Sequence, residues 1–287
     1  MIKCSKSLFF PKIIRYLKIK IKELRLKGLI LFDIDGVIRD CSESYMLATK
    51  KTVYSFCGWE PSYLDIDNLK NEGIWNNDWD LSLELIKRFT KEHNLSTVPP
   101  LREEIIKCFG KLYFGCCPNE DYSKWSGFIK NEKILVNKDL FQTLTNNQIL
   151  WGFVSGAEIP SAKYVLENKL NLKNPPLVAM GDAPDKPNPE GLICLAQKLL
   201  PHKLGAKSTP VAYVGDTVAD IKTVINARQL IPEQVFISIG IAPPHLHPVK
   251  YHKERIKYES NLEISGADLV IKSINDIKKL SSSLFLL

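Results

Sequence analysis

The sequence predicts an α/β protein, a doubly wound parallel sheet with an inserted α-helical domain. Three observations carry this. Short apolar runs of strand length recur along the chain, and runs without polar alternation suit strands buried on both faces of a parallel sheet. Helical patterns alternate with these runs in the second half of the chain. The first and second runs lie about a hundred residues apart, far more than one crossover needs, and that stretch reads as helices.

The runs are Gly28–Phe32, Ile149–Val154, Leu177–Met180, Val211–Val214 and Val235–Ile239, with Leu269–Ile271 a weaker sixth. Between the later runs, Ser161–Leu170, Pro189–Leu200 and Thr217–Ala227 read as helices. In the long gap, Ser44–Cys57, Asp80–His93 and Leu101–Phe114 do the same, in a stretch that also holds Trp59, Trp75, Trp79 and Trp125. The expected division is a basic arm at 1–27, an α/β core at 28–40 and 136–287, and a helical insertion at 41–135.

Composition narrows the class. With 287 residues, 45% hydrophobic and 25% charged, the chain is neither a disordered tail nor a disulfide-stapled miniprotein. No apolar run reaches the roughly 18 residues of a membrane-spanning helix. The seven cysteines form no CxxC pair and read as free thiols in a reducing compartment, hence a cytoplasmic protein. The net charge of +7 is misleading until it is located. Residues 1–28 hold nine basic side chains and one acid, which leaves the rest of the chain at −1. The near-neutral body therefore does not suit a nucleic-acid partner. In the arm, Ile13, Leu17, Ile21 and Leu24 recur at helical spacing among the lysines. Such a segment suits an anionic membrane surface or an organelle-targeting peptide, or it is simply a solvated helix.

Three motifs sit where strands end, and a fourth precedes a helix. Asp33 and Asp35 follow the first run, in Asp33-Ile-Asp35-Gly36-Val37. Two carboxylates there enter the crevice where α/β sheets bind ligands, one able to attack and one to move protons. Turn formation explains the same residues equally well. Ser155 and Gly156 follow the second run, where a hydroxyl and backbone N–H groups suit a phosphate or an ordinary helix cap. Lys186 stands in Asp185-Lys186-Pro187-Asn188-Pro189-Glu190, a proline-stiffened loop able to present a cation. Asp216 and Asp220 follow the Val211–Val214 run, and oxygen donors at this density suit Mg²⁺. In the insertion, Asn76-Asn77-Asp78-Trp79-Asp80 reads either as a polar and aromatic rim or as the start of a helix. His245 and His247, flanked by Pro243, Pro244 and Pro248, read as an ordinary loop.

Taken in order, DxDGV, a strand ending in Ser, Lys-Pro-x-Pro-Glu and GDTxxD resemble the haloacid dehalogenase superfamily over residues 27–287. The helical insertion resembles that family's C1-type cap, as in its phosphoglycolate phosphatase and β-phosphoglucomutase members. The resemblance implies that Asp33 is a nucleophile forming an aspartyl-phosphate and that Asp35 is the general acid and then base. It implies that Ser155, Gly156 and Lys186 hold the phosphoryl group. Asp33, the Asp35 carbonyl, Asp216 and Asp220 would then hold Mg²⁺. The expected activity is a Mg²⁺-dependent phosphatase acting on a small phosphate ester, such as a sugar phosphate or phosphoglycolate. A phosphomutase, a phosphonate hydrolase using Lys50 or Lys51, and a non-catalytic scaffold of the same fold are the alternatives.

Overall fold

A computed structural model describes residues 26–96, 98–281 and 283–285. The basic arm up to residue 25, with its expected amphipathic segment, lies outside the described residues. Strand β1 (Gly28–Phe32) is fully buried. Its side chains alternate between two apolar clusters, as a period of two requires. Ile30 and Phe32 pack with Phe141, Phe153 and Val214 on one face. Leu29 and Leu31 pack with Leu192, Leu195 and Tyr213 on the other. Both faces are apolar because helices cover both faces, and each such side chain gains roughly 1.5–3 kcal/mol on burial.

Five further strands complete a parallel sheet: β4 (Ile149–Val154), β5 (Leu177–Val178), β6 (Val211–Gly215), β7 (Phe236–Ile241) and β8 (Leu269–Ile271). Their order is β5-β4-β1-β6-β7-β8. The order reverses at β1, which is the switch point where such sheets bind ligands. Register then aligns the motifs: Phe32 pairs with both Phe153 and Val214. Asp33, Ser155 and Asp216 consequently emerge side by side at the carboxyl edge.

The helices of the core are α5 (Lys138–Asn146), α6 (Ile159–Lys163), α7 (Glu190–Leu199), α8 (Val218–Leu230), α9 (His252–Ile264) and α10 (Asp276–Leu280). The expected helix at Ser161–Leu170 is in fact α6 followed by a π-turn over Tyr164–Lys169. The run at Leu177–Met180 pairs only as far as Val178, because the Met180 amide donates to the Ala157 carbonyl and leaves the sheet.

Between β1 and β4 lies the helical insertion: α1 (Tyr45–Cys57), α2 (Tyr63–Lys70), α3 (Asp78–Glu92) and α4 (Arg102–Tyr113). Helix α2 was missing from the sequence reading. Its signal is the capping box of Ser62 and Asp65. Two apolar clusters of its own hold the insertion, one around Phe109, Phe114 and Trp125 and the other around Ile66, Leu81 and Ile86. The two chain crossings into it are tied by short antiparallel strands, β2 (Arg39–Asp40) and β3 (Lys133–Ile134).

Five cysteines (41, 57, 108, 116 and 117) are free thiols. Cys194 is disulfide-bonded and departs from the expectation that all seven would be free. Among the described residues, no helix is long and apolar enough to cross a membrane.

Candidate active site

Asp33 sits at the bottom of a cleft between the sheet edge and the insertion. The cleft encloses about 740 Å³, partly open to solvent. Six of the seven residues singled out from the motifs line it; Asp220 is buried and does not. The Asp33 backbone amide donates to the Val214 carbonyl at 2.8 Å, continuing the sheet one residue beyond β1. Its Oδ2 lies 3.1 Å from Lys186 Nζ. Its Oδ1 is buried and has no hydrogen-bond partner. Burial pushes the Asp33 carboxyl up to about 6, against the opposing pull of Lys186.

Gly36 makes the turn after Asp35 with φ at +75°, and a Cβ there would meet Asp216 Oδ2 at 1.9 Å. The fourth residue of DxDG is therefore glycine for two reasons, backbone conformation and room for a carboxylate. Asp216 is buried, and its carboxyl is raised well above the usual range by burial and by the neighbouring Asp220 and Asp33. Carboxylate oxygens of Asp33, Asp216 and Asp220 all lie within 4.8 Å of one another.

Asp220 has the most occupied carboxylate of the three. Its Oδ1 accepts from Lys186 Nζ at 2.5 Å and from the Tyr213 hydroxyl at 3.1 Å. Its Oδ2 accepts from the Thr217 amide at 2.9 Å and hydroxyl at 2.7 Å, closing the capping box of α8. Both readings of GDTxxD are thus realised in one group, a helix cap and a carboxylate of the cluster. Lys186 in turn bonds Asp33, Asp220 and Tyr213. Burial disfavours its charge, but Asp220 and Asp33 raise its ammonium well above the ordinary lysine range, so it is a fixed cation. Asn226 of α8 donates to the Pro187 carbonyl at 2.9 Å and pins this loop. Ser155 Oγ accepts from the Ala157 amide at 3.2 Å, which shapes the loop that brings Ser155 and Gly156 to the cleft.

Asp35 is held by a residue the sequence reading passed over. Arg39 is fully buried, and its Nε donates to Asp35 Oδ1. Its Nη1 meets Glu132 Oε2 at 2.9 Å, and Glu132 Oε1 accepts from Tyr113 at 2.6 Å and Ser44 at 3.0 Å. Burial works to raise the Asp35 carboxyl, but Arg39 overrides it and holds Asp35 below the usual range. The network joins the DxDG turn to α1 and α4 of the insertion. Arg39→Met should cost about 3–5 kcal/mol in urea unfolding, because Glu132 and Asp35 would lose their cation in a buried place. A cost under about 1 kcal/mol would show that water enters and solvates both acids.

The roof of the cleft comes from the insertion. Lys70, at the end of α2, pairs with Asp78 at 3.1 Å. Burial acts against the Lys70 charge, but Asp78, Asp216 and Asp35 outweigh it and raise the ammonium. Asn77 caps α3 through the Trp79 and Asp80 amides and also lines the cleft with Asn76 and Asp78, so it serves both expected roles. Trp79 does not line the cleft; it packs inside the insertion. His245 does more than the expected ordinary loop residue: it lines the cleft, and its Nε2 meets Asp67 Oδ2 of α2 at 2.7 Å. His247 instead contacts the Ala242 carbonyl. Lys50 and Lys51 both pair with Glu60 and do not line the cleft.

A family model for haloacid dehalogenase-like hydrolases matches residues 28–228, the stretch that holds all four motifs. The chain belongs to the haloacid dehalogenase-like hydrolase family. Solved structures of similar fold include a phosphonoacetaldehyde hydrolase-like protein from Oleispira antarctica. It is 16% identical with a TM-score of 0.60, covering 89% of this chain and 94% of its own. Another is phosphatase Tt82 from Thermococcus thioreducens, 23% identical with a TM-score of 0.55, covering 73% of this chain and 92% of its own. Among curated proteins, an imidazoleglycerol-phosphate dehydratase from Phytophthora nicotianae is 31% identical over 194 residues, 67% of this chain. The match spans about 40% of that relative's length.

Proposed function

We propose that this hydrolase is a Mg²⁺-dependent phosphatase acting on a small phosphate monoester through an aspartyl-phosphate. The supporting observation is Asp33 itself: one oxygen is tied to a fixed cation, and the other is buried, unpartnered and set in the cleft. A buried carboxylate oxygen without a donor needs either a cation or an electrophile, and this mechanism gives it one of each kind of partner.

The donor set fits Mg²⁺. Asp33, Asp216 and the Asp35 carbonyl would hold it, all oxygen donors suited to a hard cation, with Asp220 at the edge of the set. Asp220 has little lone-pair capacity left after Lys186, Tyr213 and Thr217, so its part is to anchor Lys186 and brace α8. When bound, the metal supplies charge neutralisation for the phosphoryl oxygens.

The protein's own groups carry the rest. Lys186, with Ser155 and the Gly156 amide, holds the phosphoryl oxygens. Asp35 first takes up a proton from solvent against the pull of Arg39; Asp33 attacks phosphorus, the bond to the leaving oxygen breaks, and Asp35 donates that proton to the leaving oxygen. Asp35, now ionised, takes a proton from water. The water oxygen bonds to phosphorus, the Asp33–phosphorus bond breaks, and phosphate leaves. Arg39 favours the ionised Asp35 and so favours the second half. Esters with good leaving groups should therefore react fastest.

The insertion would act as the cap that closes the cleft and excludes water. A phosphonate hydrolase needs a neutral cap lysine for a Schiff base, and the described lysine of the insertion that lines the cleft, Lys70, is held as an ammonium by Asp78. The Phytophthora relative is named for a phosphorylated small molecule, and imidazoleglycerol phosphate belongs in the substrate panel for that reason.

The first test is hydrolysis of an aryl phosphate with and without Mg²⁺. Turnover that needs the metal is the expected result; none in its presence would overturn the reading. A second readout is thermal. Burial raises Asp33 and Asp216, and a metal binds only their ionised forms, so affinity should fall as pH drops through about 6. Millimolar Mg²⁺ should raise Tm clearly at pH 7.5 and little at pH 5. An equal rise at both values would contradict this site.

A further inference from the structure

We infer that the alcohol leaving from the substrate carries a positive charge: the cleft takes the monophosphate ester of a small amino alcohol, not of a hydroxy acid or a second phosphate. This deepens the phosphatase reading and rests on it. With the phosphoryl group held at Asp33, Ser155 and Lys186, the leaving group meets the remaining lining, chiefly Asp40, Ser42, Lys70, Asn77, Asp78 and Asp185.

The charges in that lining pair unequally. Lys186 is taken by Asp33 and Asp220, and Lys70 by Asp78. Asp35 has Arg39. Among the described residues, Asp40 and Asp185 form no ion pair and accept hydrogen bonds from neutral side chains or amides. Asp40 Oδ1 accepts from the Ser42 amide at 3.0 Å and hydroxyl at 2.5 Å. Asp185 Oδ2 accepts from the Asn77 side-chain amide at 3.4 Å. His245 is engaged with Asp67. Among the described residues, no arginine lines the cleft. Arg102, whose charge reaches Asp185, is forked onto Asp80 at 2.6 and 3.2 Å.

A dianionic phosphate in this cleft therefore leaves two carboxylates, Asp40 and Asp185, without an ion pair among the described residues. A leaving group with a carboxylate or a second phosphate would add like charge beside Asp40 and Asp185, which disfavours it. An ammonium would bring a cation to this acidic lining, and a hydroxyl would fall between. The same arithmetic disfavours a mutase that passes through a bisphosphate, which needs a second anion site.

The test uses the full chain with Mg²⁺ and three esters of matched size: 2-aminoethyl, 2-hydroxyethyl and carboxymethyl phosphate, beside an aryl phosphate. The expected order of kcat/KM is aminoethyl, hydroxyethyl, carboxymethyl, with about tenfold or more between first and last. Asp185→Asn and Asp40→Asn should each narrow the aminoethyl-to-carboxymethyl ratio, by about threefold or more. A preference that came only from leaving-group basicity would not move with either variant. Carboxymethyl phosphate matching aminoethyl phosphate, while the aryl ester turns over, overturns the inference and spares the phosphatase reading. A ratio unchanged in both variants also overturns it. Failure of every ester, the aryl one included, overturns the phosphatase reading and this one with it.

Discussion

Asp33→Asn should abolish turnover, a loss on the order of 10⁶-fold if Asp33 is the covalent nucleophile. The amide keeps the size of the carboxylate and can still face Lys186, so the fold should survive. Stability should even rise at pH 7.5. Burial lifts the Asp33 carboxyl from 3.8 to about 6, so ionising it there opposes folding. Worked through, its favourable contribution is complete below pH 4 and is lost as pH rises through about 6. Replacement by a neutral amide removes that loss in the metal-free protein. Asp35→Asn should behave differently. It keeps the nucleophile and loses the base, so an activated phosphate ester should leave a phosphate adduct that persists. Intact-mass spectrometry after brief exposure separates the two variants. An adduct on the Asp33 variant at the wild-type level would sink the assignment.

Lys186→Met should produce the second largest effect, and on two axes. Its ammonium is the cation shared by Asp33 and Asp220, both buried. Removing it leaves a cluster of buried carboxylates with no fixed positive charge, at a cost of about 3–5 kcal/mol in urea unfolding. Catalysis should fall roughly 10²–10³-fold even where the protein folds, the range for losing one preorganised electrostatic group. The pH profile carries the diagnostic. Without Lys186 the ionised form of Asp33 is less favoured, so the acid limb of kcat/KM should move upward from about 6. A slower variant with an unmoved acid limb would mean that Lys186 supports the loop and not the carboxylate. Lys186→Arg should restore part of the stability but less of the rate, because the fork cannot replace a point charge set among three partners.

Much of this architecture was legible in the chain because parallel strands are short and apolar. Gly28–Phe32, Ile149–Val154 and Leu269–Ile271 were read with their observed bounds, since burial on both faces leaves no other composition open to them. The motif carboxylates and Lys186 were legible for a related reason: each stands next to a strand end or a proline-fixed loop, and local order places it. Helix α9, with six charged residues among the thirteen of His252–Ile264, offered no such pattern.

What only the tertiary structure decided are contacts between residues far apart in sequence. Register, not motif spacing, brings Asp33, Ser155 and Asp216 to one edge. Arg39 belongs to none of the sequence motifs, yet it is buried against Asp35 and Glu132, its partner 93 positions away. His245 gained a role only when Asp67, 178 positions away, met it across the cleft. Asp40 and Asp185 stood out only once Lys70, Arg102 and Lys186, among the described residues, were seen to pair with other acids. A sequence shows which charges a chain owns, but a charge acts through distance and burial, and both are set only when the chain is packed.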